Sequence, residues 1–436
     1  MFNTKRGSMI NRTIAPPIID PVAFNISLPG CTTYTLSNGV QVFAVDMGSE
    51  DTLMVNWVFY AGNSYEKKKA IAGSTNYLLK NGTSKRTAFD INEHFEYYGA
   101  HLNRSCYNET SEIVLHSLSK YSNELLPVVA ELISDAIFPQ EELDIFKQNS
   151  KQRLKVNLQK SEFVAGRLID SYVFGENHPY GTFNNLEDYD ALQRDDLVAF
   201  YEEYYRKGRC LVFVAGKLPS DIISSLEKYF GHLPLQSHKT KVTEPKHITQ
   251  PSEQKKYALT IDPDGVQTAI RIARPFPNRH HPDFQKVLVL NNLFGGFFGA
   301  RLMANIREDK GYTYSIYSYL LNFVNESGWV IATEAGRDVS ADTIAEIYKE
   351  MKLLRDEPVD DEELMVTRNY MIGMILGDLD GPFQVIARWK NMILNGVDEN
   401  YFYRGIEIIK TITPGELHEL AGKYLNPDDF YELVVV

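Results

Sequence analysis

Apolar positions along the chain fall into two kinds of run. Short stretches rich in β-branched and aromatic residues, Val55–Tyr60, Ile113–Leu118 and Leu211–Ala215, then Ala269–Ala273, Trp329–Thr333 and Tyr431–Val436, read as strands. Between them the spacing turns helical. Ile91, Phe95 and Tyr98 fall at i, i+4 and i+7 behind a Thr87-x-x-Asp90 capping box, which predicts a helix over 88–98. A second helix follows the strand end at Ala61-Gly62. It has Ile71, Thr75, Leu78 and Leu79 on one face and a stop signal at Asn81-Gly82. Strands gather near the ends of each half of the chain, with helices in runs between them. That order predicts an α+β fold in layers, a mixed or antiparallel sheet packed against helices in each half, rather than strict βαβ alternation.

The pattern repeats. At a constant offset of 220, Leu197 matches Leu417, Phe200 matches Leu420, Tyr204 matches Tyr424 and Val214 matches Val434. Upstream, Glu-Glu-Leu at 141–143 returns at 362–364, each time opening a helix behind a proline, Pro139 or Pro358. A period this long is too great for a solenoid and indicates two duplicated domains. The expected division is an N-terminal extension 1–22, a first domain 23–235, a polar linker 236–256 with two prolines, and a second domain 257–436.

A chain of 436 residues exceeds what one core ordinarily serves, and 44% hydrophobic with 23% charged residues is the mix of a soluble globular protein. The net charge of −12 argues against a nucleic-acid partner. No apolar run reaches the roughly 18 residues of a membrane span. The basic N-terminus has no apolar core of a secretory signal, so cytoplasm is the default, or periplasm if a signal was removed. Cys31, Cys106 and Cys210 form neither a disulfide framework nor a thiolate metal site. No two of the ten histidines stand at i, i+3 or i, i+4.

Residues 61–87 carry a more specific signal. Their strand, helix and Gly82-Thr83 resemble the pitrilysin/insulinase-type (M16) zinc peptidases, whose equivalent helix bears His-x-x-Glu-His a few residues before Gly-Thr. In that register the two zinc histidines are replaced by Gly73 and Tyr77, and the general-base glutamate by Asn76. The family's third ligand, a glutamate on a later helix, falls at Arg153. A zinc site needs two imidazoles and a carboxylate here. Glycine offers no donor, a phenol is a rare ligand, and an amide cannot take a proton from water. The resemblance therefore implies no zinc or other cofactor, and no catalytic residue of the chain's own.

Other parts of the family pattern are kept. Residues 95–118 look like its helix, Gly-Ala turn and strand, and Asn177–Gly181 matches a recurring segment. Residues 293–320 resemble its glycine-rich turn, Arg-Leu helix and Arg-Glu…Gly…Tyr-Ser segment. By that resemblance Arg307 and Tyr314 are substrate-binding donors aimed at the scissile carbonyl of a partner's site. The structural alternative pairs Arg307 with Glu308 or Asp309 and packs Tyr314 in the sheet. The strand at Asn103–Cys106 resembles the exposed edge to which family members add a peptide. The implied function is a non-catalytic subunit that binds peptides beside a zinc-bearing partner in a heterodimer. A structural scaffold, peptide-binding as a homodimer, is the alternative.

Overall fold

The computed structural model describes residues 20–436 other than Thr243; most of the expected N-terminal extension lies outside the described residues. The first sheet contains β1 (Thr32–Thr35), β2 (Gln41–Asp46), β3 (Thr52–Phe59), β4 (His101–Cys106), β5 (Ser111–Leu118), β6 (Arg209–Gly216) and β7 (Gln236–Ser237). The second contains β8 (Lys256–Leu259), β9 (Gln267–Phe276), β10 (Thr313–Asn322), β11 (Ser327–Gly336) and β12 (Tyr431–Val435). The helices of the first half are α1 (Ile71–Leu78), α2 (Ala88–Tyr97), α3 (Ser122–Asp135), α4 (Gln140–Asn157), α5 (Ser161–Phe174), α6 (Leu186–Ala191), α7 (Arg194–Tyr201) and α8 (Ile222–Phe230). Those of the second are α9 (Phe284–Asn291), α10 (Ser340–Asp356), α11 (Asp361–Gly377), α12 (Pro382–Leu394), α13 (Glu399–Thr411) and α14 (Pro414–Tyr424).

The duplication is visible in the topology. The path β2-β6-β3-β5-β4 of the first sheet matches β8-β12-β9-β11-β10 of the second: each opens on a parallel pair (β2 with β6, β8 with β12) and is antiparallel beyond it, and the first sheet adds β1 antiparallel to β2 and β7 parallel to β6. Two mixed sheets packed against helices confirm the expected α+β class. Every apolar run read as a strand is one; four are extended by a few residues, Val55–Tyr60 starts at Thr52 and ends at Phe59, and Tyr431–Val436 ends at Val435. The capping box at Thr87 and Asp90 forms as expected, with Ile91 and Phe95 buried beneath it. The α1 helix ends at Leu78, slightly before Asn81-Gly82.

The packing crosses the expected domain boundaries in three places. Helix α5, from the first half, lays Val164, Ala165, Ile169 and Val173 against Ala269, Ala273 and Leu433 of the second sheet. Helix α12, its counterpart one repeat later, lays Val385 and Ile386 against Val45, Val58, Leu211 and Phe213 of the first sheet. The two halves thus exchange equivalent helices. Each buried aliphatic side chain contributes about 1.5–3 kcal/mol, so the exchange ties the halves together strongly. The third crossing is at the start of the described chain, where Ile26 and Leu28 enter the core of the second half. The stretch expected as a linker is also pinned to both halves. Its Gln250 and Ser252 amides donate to the Phe174 and Tyr172 carbonyls of the first half, Glu244 pairs with Arg209 there, and the Ser252 carbonyl accepts from the Tyr431 hydroxyl of the second half at 2.8 Å.

Candidate functional site

The register positions of the missing zinc motif lie on α1. Its N-terminus is held by Glu66, whose carboxylate accepts the Ala72 amide at 3.0 Å and is pushed up to about 7 by burial. Asn76 is buried, and its amide donates to the Glu112 carbonyl at 3.3 Å and to the Tyr205 hydroxyl at 3.1 Å. It is a structural hydrogen-bond donor with no solvent face. Gly73 lies on the open side of the helix, where an added Cβ would meet nothing within 4 Å. Tyr77, one turn on, is 45% exposed and its ring packs tilted against Phe146 of α4, with the centroids 4.9 Å apart. Arg153 stands on the exposed side of α4, two turns beyond Phe146.

The sequence reading missed the residue that most changes this place. Arg104 of β4 shares a strand face with Leu102 and Cys106, the face turned toward α1. Its guanidinium lies 5.0 Å from the centre of the Tyr77 ring and donates a hydrogen bond to the Tyr77 carbonyl. Desolvation lowers its pKa to about 10, which leaves it charged at neutral pH. A fixed cation therefore stands beside Tyr77, the residue that the resemblance aligns with the family's second zinc histidine. With no donor at Gly73, a phenol under a guanidinium at Tyr77 and an engaged amide at Asn76, these residues do not fit a zinc ion. Among the described residues, no group of three or more His, Cys, Asp or Glu side chains is placed to hold a metal. Apolar-polar alternation along 101–106 carried the signal for Arg104: apolar Leu102 fixes the inward face, and Arg104 is two residues on.

At the same strand, β4 pairs only with β5, so its outer edge is unpaired among the described residues. The expected edge at Asn103–Cys106 is present.

In the second half, Arg307 lies in the widened helical turn Met303–Asp309 and Tyr314 near the start of β10. The ladder between β10 and β11 shifts register between Thr313 and Ile316. Thr313 anchors that bulge: its hydroxyl accepts from the Ser315 amide at 3.1 Å and donates to the Glu334 carbonyl at 2.6 Å. A bulge re-aims a side chain, and here Tyr314 is turned out to 86% exposure. The Arg307 guanidinium lies 5.2 Å from the Tyr314 ring centre and 4.7 Å from that of Phe298. Its ion pair with Glu308 is long, at 3.6 Å. The fold thus brings Arg307 and Tyr314 together. Tyr314 does not pack in the sheet, and its hydroxyl has no hydrogen-bond partner among the described residues.

The glycine-rich turn beside them is a packing device. At Gly295 a Cβ would lie 2.8 Å from Leu302 Cδ1 and from Ser318 Cβ. Only glycine lets the turn close onto β10. Ser318 in turn accepts from Trp329 Nε1 at 2.8 Å and donates to Asn291 at 2.7 Å, which fixes β10 against α9.

A cavity of about 1050 Å³ between the halves was not anticipated either; Tyr60, Tyr107, Glu109, Tyr180 and Lys390 are among its walls. The Tyr180 hydroxyl donates to Glu109 and accepts the Asn325 amide, so this network is closed within the chain.

Comparison with known proteins accords with this geometry. Residues 191–371 match the family described as the peptidase M16 inactive domain, from the end of α6 into α11. An uncharacterized zinc protease of Bacillus subtilis is 23% identical over 372 residues, 83% of this chain and 88% of that protein. The probable mitochondrial-processing peptidase subunit beta of Schizosaccharomyces pombe is 25% identical over 283 residues, 62% of this chain and 60% of that one. The crystal structure of a peptidase M16 inactive domain from Pseudomonas fluorescens superposes with a TM-score of 0.82 at 22% identity, covering 93% of this chain and 98% of that one. The chain is therefore similar to M16 zinc proteases, matches the peptidase M16 inactive domain over residues 191–371 and shares the M16 fold over nearly its whole length.

Proposed function

We propose that this chain is a non-catalytic subunit of a heterodimeric M16-type peptidase, which binds peptide on the β4 edge and contributes Arg307 and Tyr314 to a partner's zinc site. The observation that carries the reading is the pair itself. Two donors seven residues apart in sequence are brought side by side on an exposed surface, one of them turned outward at the β10 bulge. A guanidinium and a free phenol are both suited to a carbonyl oxygen that gains charge during hydrolysis. Arg104 supports the other half of the reading, because it holds a cation beside Tyr77, the residue that the resemblance aligns with a zinc histidine. A similar protein named as a peptidase subunit beta makes a multi-subunit assembly a natural setting.

The experiment is reconstitution. The purified chain is mixed with a zinc-bearing M16 relative from the same source, and cleavage of an unstructured peptide is followed. Activity should appear on mixing and be absent from this chain alone. A stable homodimer that neither captures nor activates such a relative would favour the scaffold reading. That alternative draws on the contact of Arg307 with Phe298 and Glu308, which gives the residue a structural role within the chain.

A further inference from the structure

The place vacated by the zinc motif is not merely blank. Arg104 points from the free edge strand toward α1, yet its charge has no carboxylate partner among the described residues. Its hydrogen bond goes to a carbonyl, its face lies on the Tyr77 ring, and its Nε is buried without a partner. Two carboxylates of the same half, Glu112 and Glu66, are committed elsewhere. Glu112 accepts from Lys390 and Asn56, and Glu66 accepts the Ala72 amide. Lys80 adds a second cation, whose pKa is lowered by burial and by the charge of Arg104. On α1, Gly73 and Tyr77 share a face one turn apart, and the space beside Gly73 is open.

A half-buried cation without a counter-ion is costly, and it is matched best by an anion that accepts both arms of the guanidinium fork. We propose that this site is a carboxylate receptor: Arg104, backed by Lys80, takes a carboxylate of a peptide laid along β4, so that the former metal site anchors the chain that a zinc site would cut. The carboxylate is supplied by the peptide's C-terminus or by an Asp or Glu side chain. The inference rests on peptide binding at the β4 edge as proposed above.

The test uses fluorescence anisotropy on the full chain with three versions of one unstructured, N-terminally labelled peptide. The first lacks Asp and Glu and has a free C-terminal carboxylate. The second is its C-terminal amide, and the third is that amide with one central glutamate. The free acid should bind roughly tenfold more tightly than the plain amide. If the glutamate amide recovers the affinity, side-chain carboxylates serve as well; if it does not, the site takes the C-terminus. R104Q should bring all three peptides to the affinity of the amide, while R104K should keep part of the preference. The comparison on the unaltered chain decides the matter even where R104Q fails to fold. Equal affinity for the three peptides would overturn the receptor and leave edge-strand binding intact. No binding of any peptide would overturn both.

Discussion

Lys390 of α12 places its ammonium 2.7 Å from Oε2 and 2.8 Å from Oε1 of Glu112 on β5, joining the second half of the chain to the sheet of the first. Glu112 is buried, and Asn56 of β3 donates to the same carboxylate at 2.7 Å. Removing one member of a buried pair strands the other without compensation, at a cost of about 3–5 kcal/mol. K390M should lower stability by roughly that amount in denaturant titration, and K390M combined with E112Q should recover part of it. A loss below about 0.5 kcal/mol, the scale of a surface pair, would show that the charges are solvated.

The exchange of α5 and α12 predicts that neither half is a folding unit as the linker would divide them. Residues 23–235 expressed alone would expose the face of Val45, Val58, Leu211 and Phe213 that α12 covers. That fragment should aggregate or stay unfolded, and the two halves should recover a folded complex when coexpressed. In the intact chain, I386A should cost about 2–5 kcal/mol and shift one cooperative transition for both halves. A monomeric, cooperatively folded 23–235 fragment would contradict this account.

Asp170 of α5 gives a pH dependence with a definite sign. Burial pushes its carboxyl up from 3.8 to about 7 against the opposing charge of Arg271. The folded state then holds this proton more tightly than the unfolded chain. The stability it contributes is complete below about pH 4 and is lost as pH rises through about 7. D170N mimics the protonated form. It should melt with the parent near pH 4 and above it near pH 8. Glu66, raised in the same direction, is common to both proteins and drops out of the comparison. Melting temperatures that track each other across the whole range would refute the assignment.

Restoring the motif residues alone should not restore a metal site. G73H meets open space and Y77H keeps a ring, but N76E buries a carboxylate in place of two hydrogen bonds, and Arg104 remains beside the new ligands. The triple variant should bind no stoichiometric zinc by elemental analysis. Adding R104S together with R153E, at the register position of the family's third ligand, should raise zinc affinity. Stoichiometric zinc in the unaltered chain would overturn this view of the site.

Much of the fold was legible because it depends on local periodicity. The strands and the capping box at Thr87 are carried by neighbouring residues, and the period near 220 shows because such local patterns recur. The helix exchange was not legible. Val164, Ile169, Val385 and Ile386 announce an apolar face, but nothing local to them says which of two similar sheets will cover it. Arg104 escaped for a related reason. Its strand was recognised as an edge, but its reach toward α1 depends on where the sheet places that edge. The Arg307–Tyr314 proximity followed from a resembling motif, whereas the exposure of Tyr314 depends on a bulge set by Thr313 that spacing does not reveal.

The central claim is that Arg307 and Tyr314 act on a partner's substrate. It is tested most directly by kcat and KM of the reconstituted pair with R307A or Y314F in this subunit. Each loss should fall mainly on kcat, by about 10²–10³-fold, as for removal of an oxyanion donor. Assembly with the partner and the melting temperature should be unchanged. Unaltered turnover in both variants within an intact heterodimer would contradict the account.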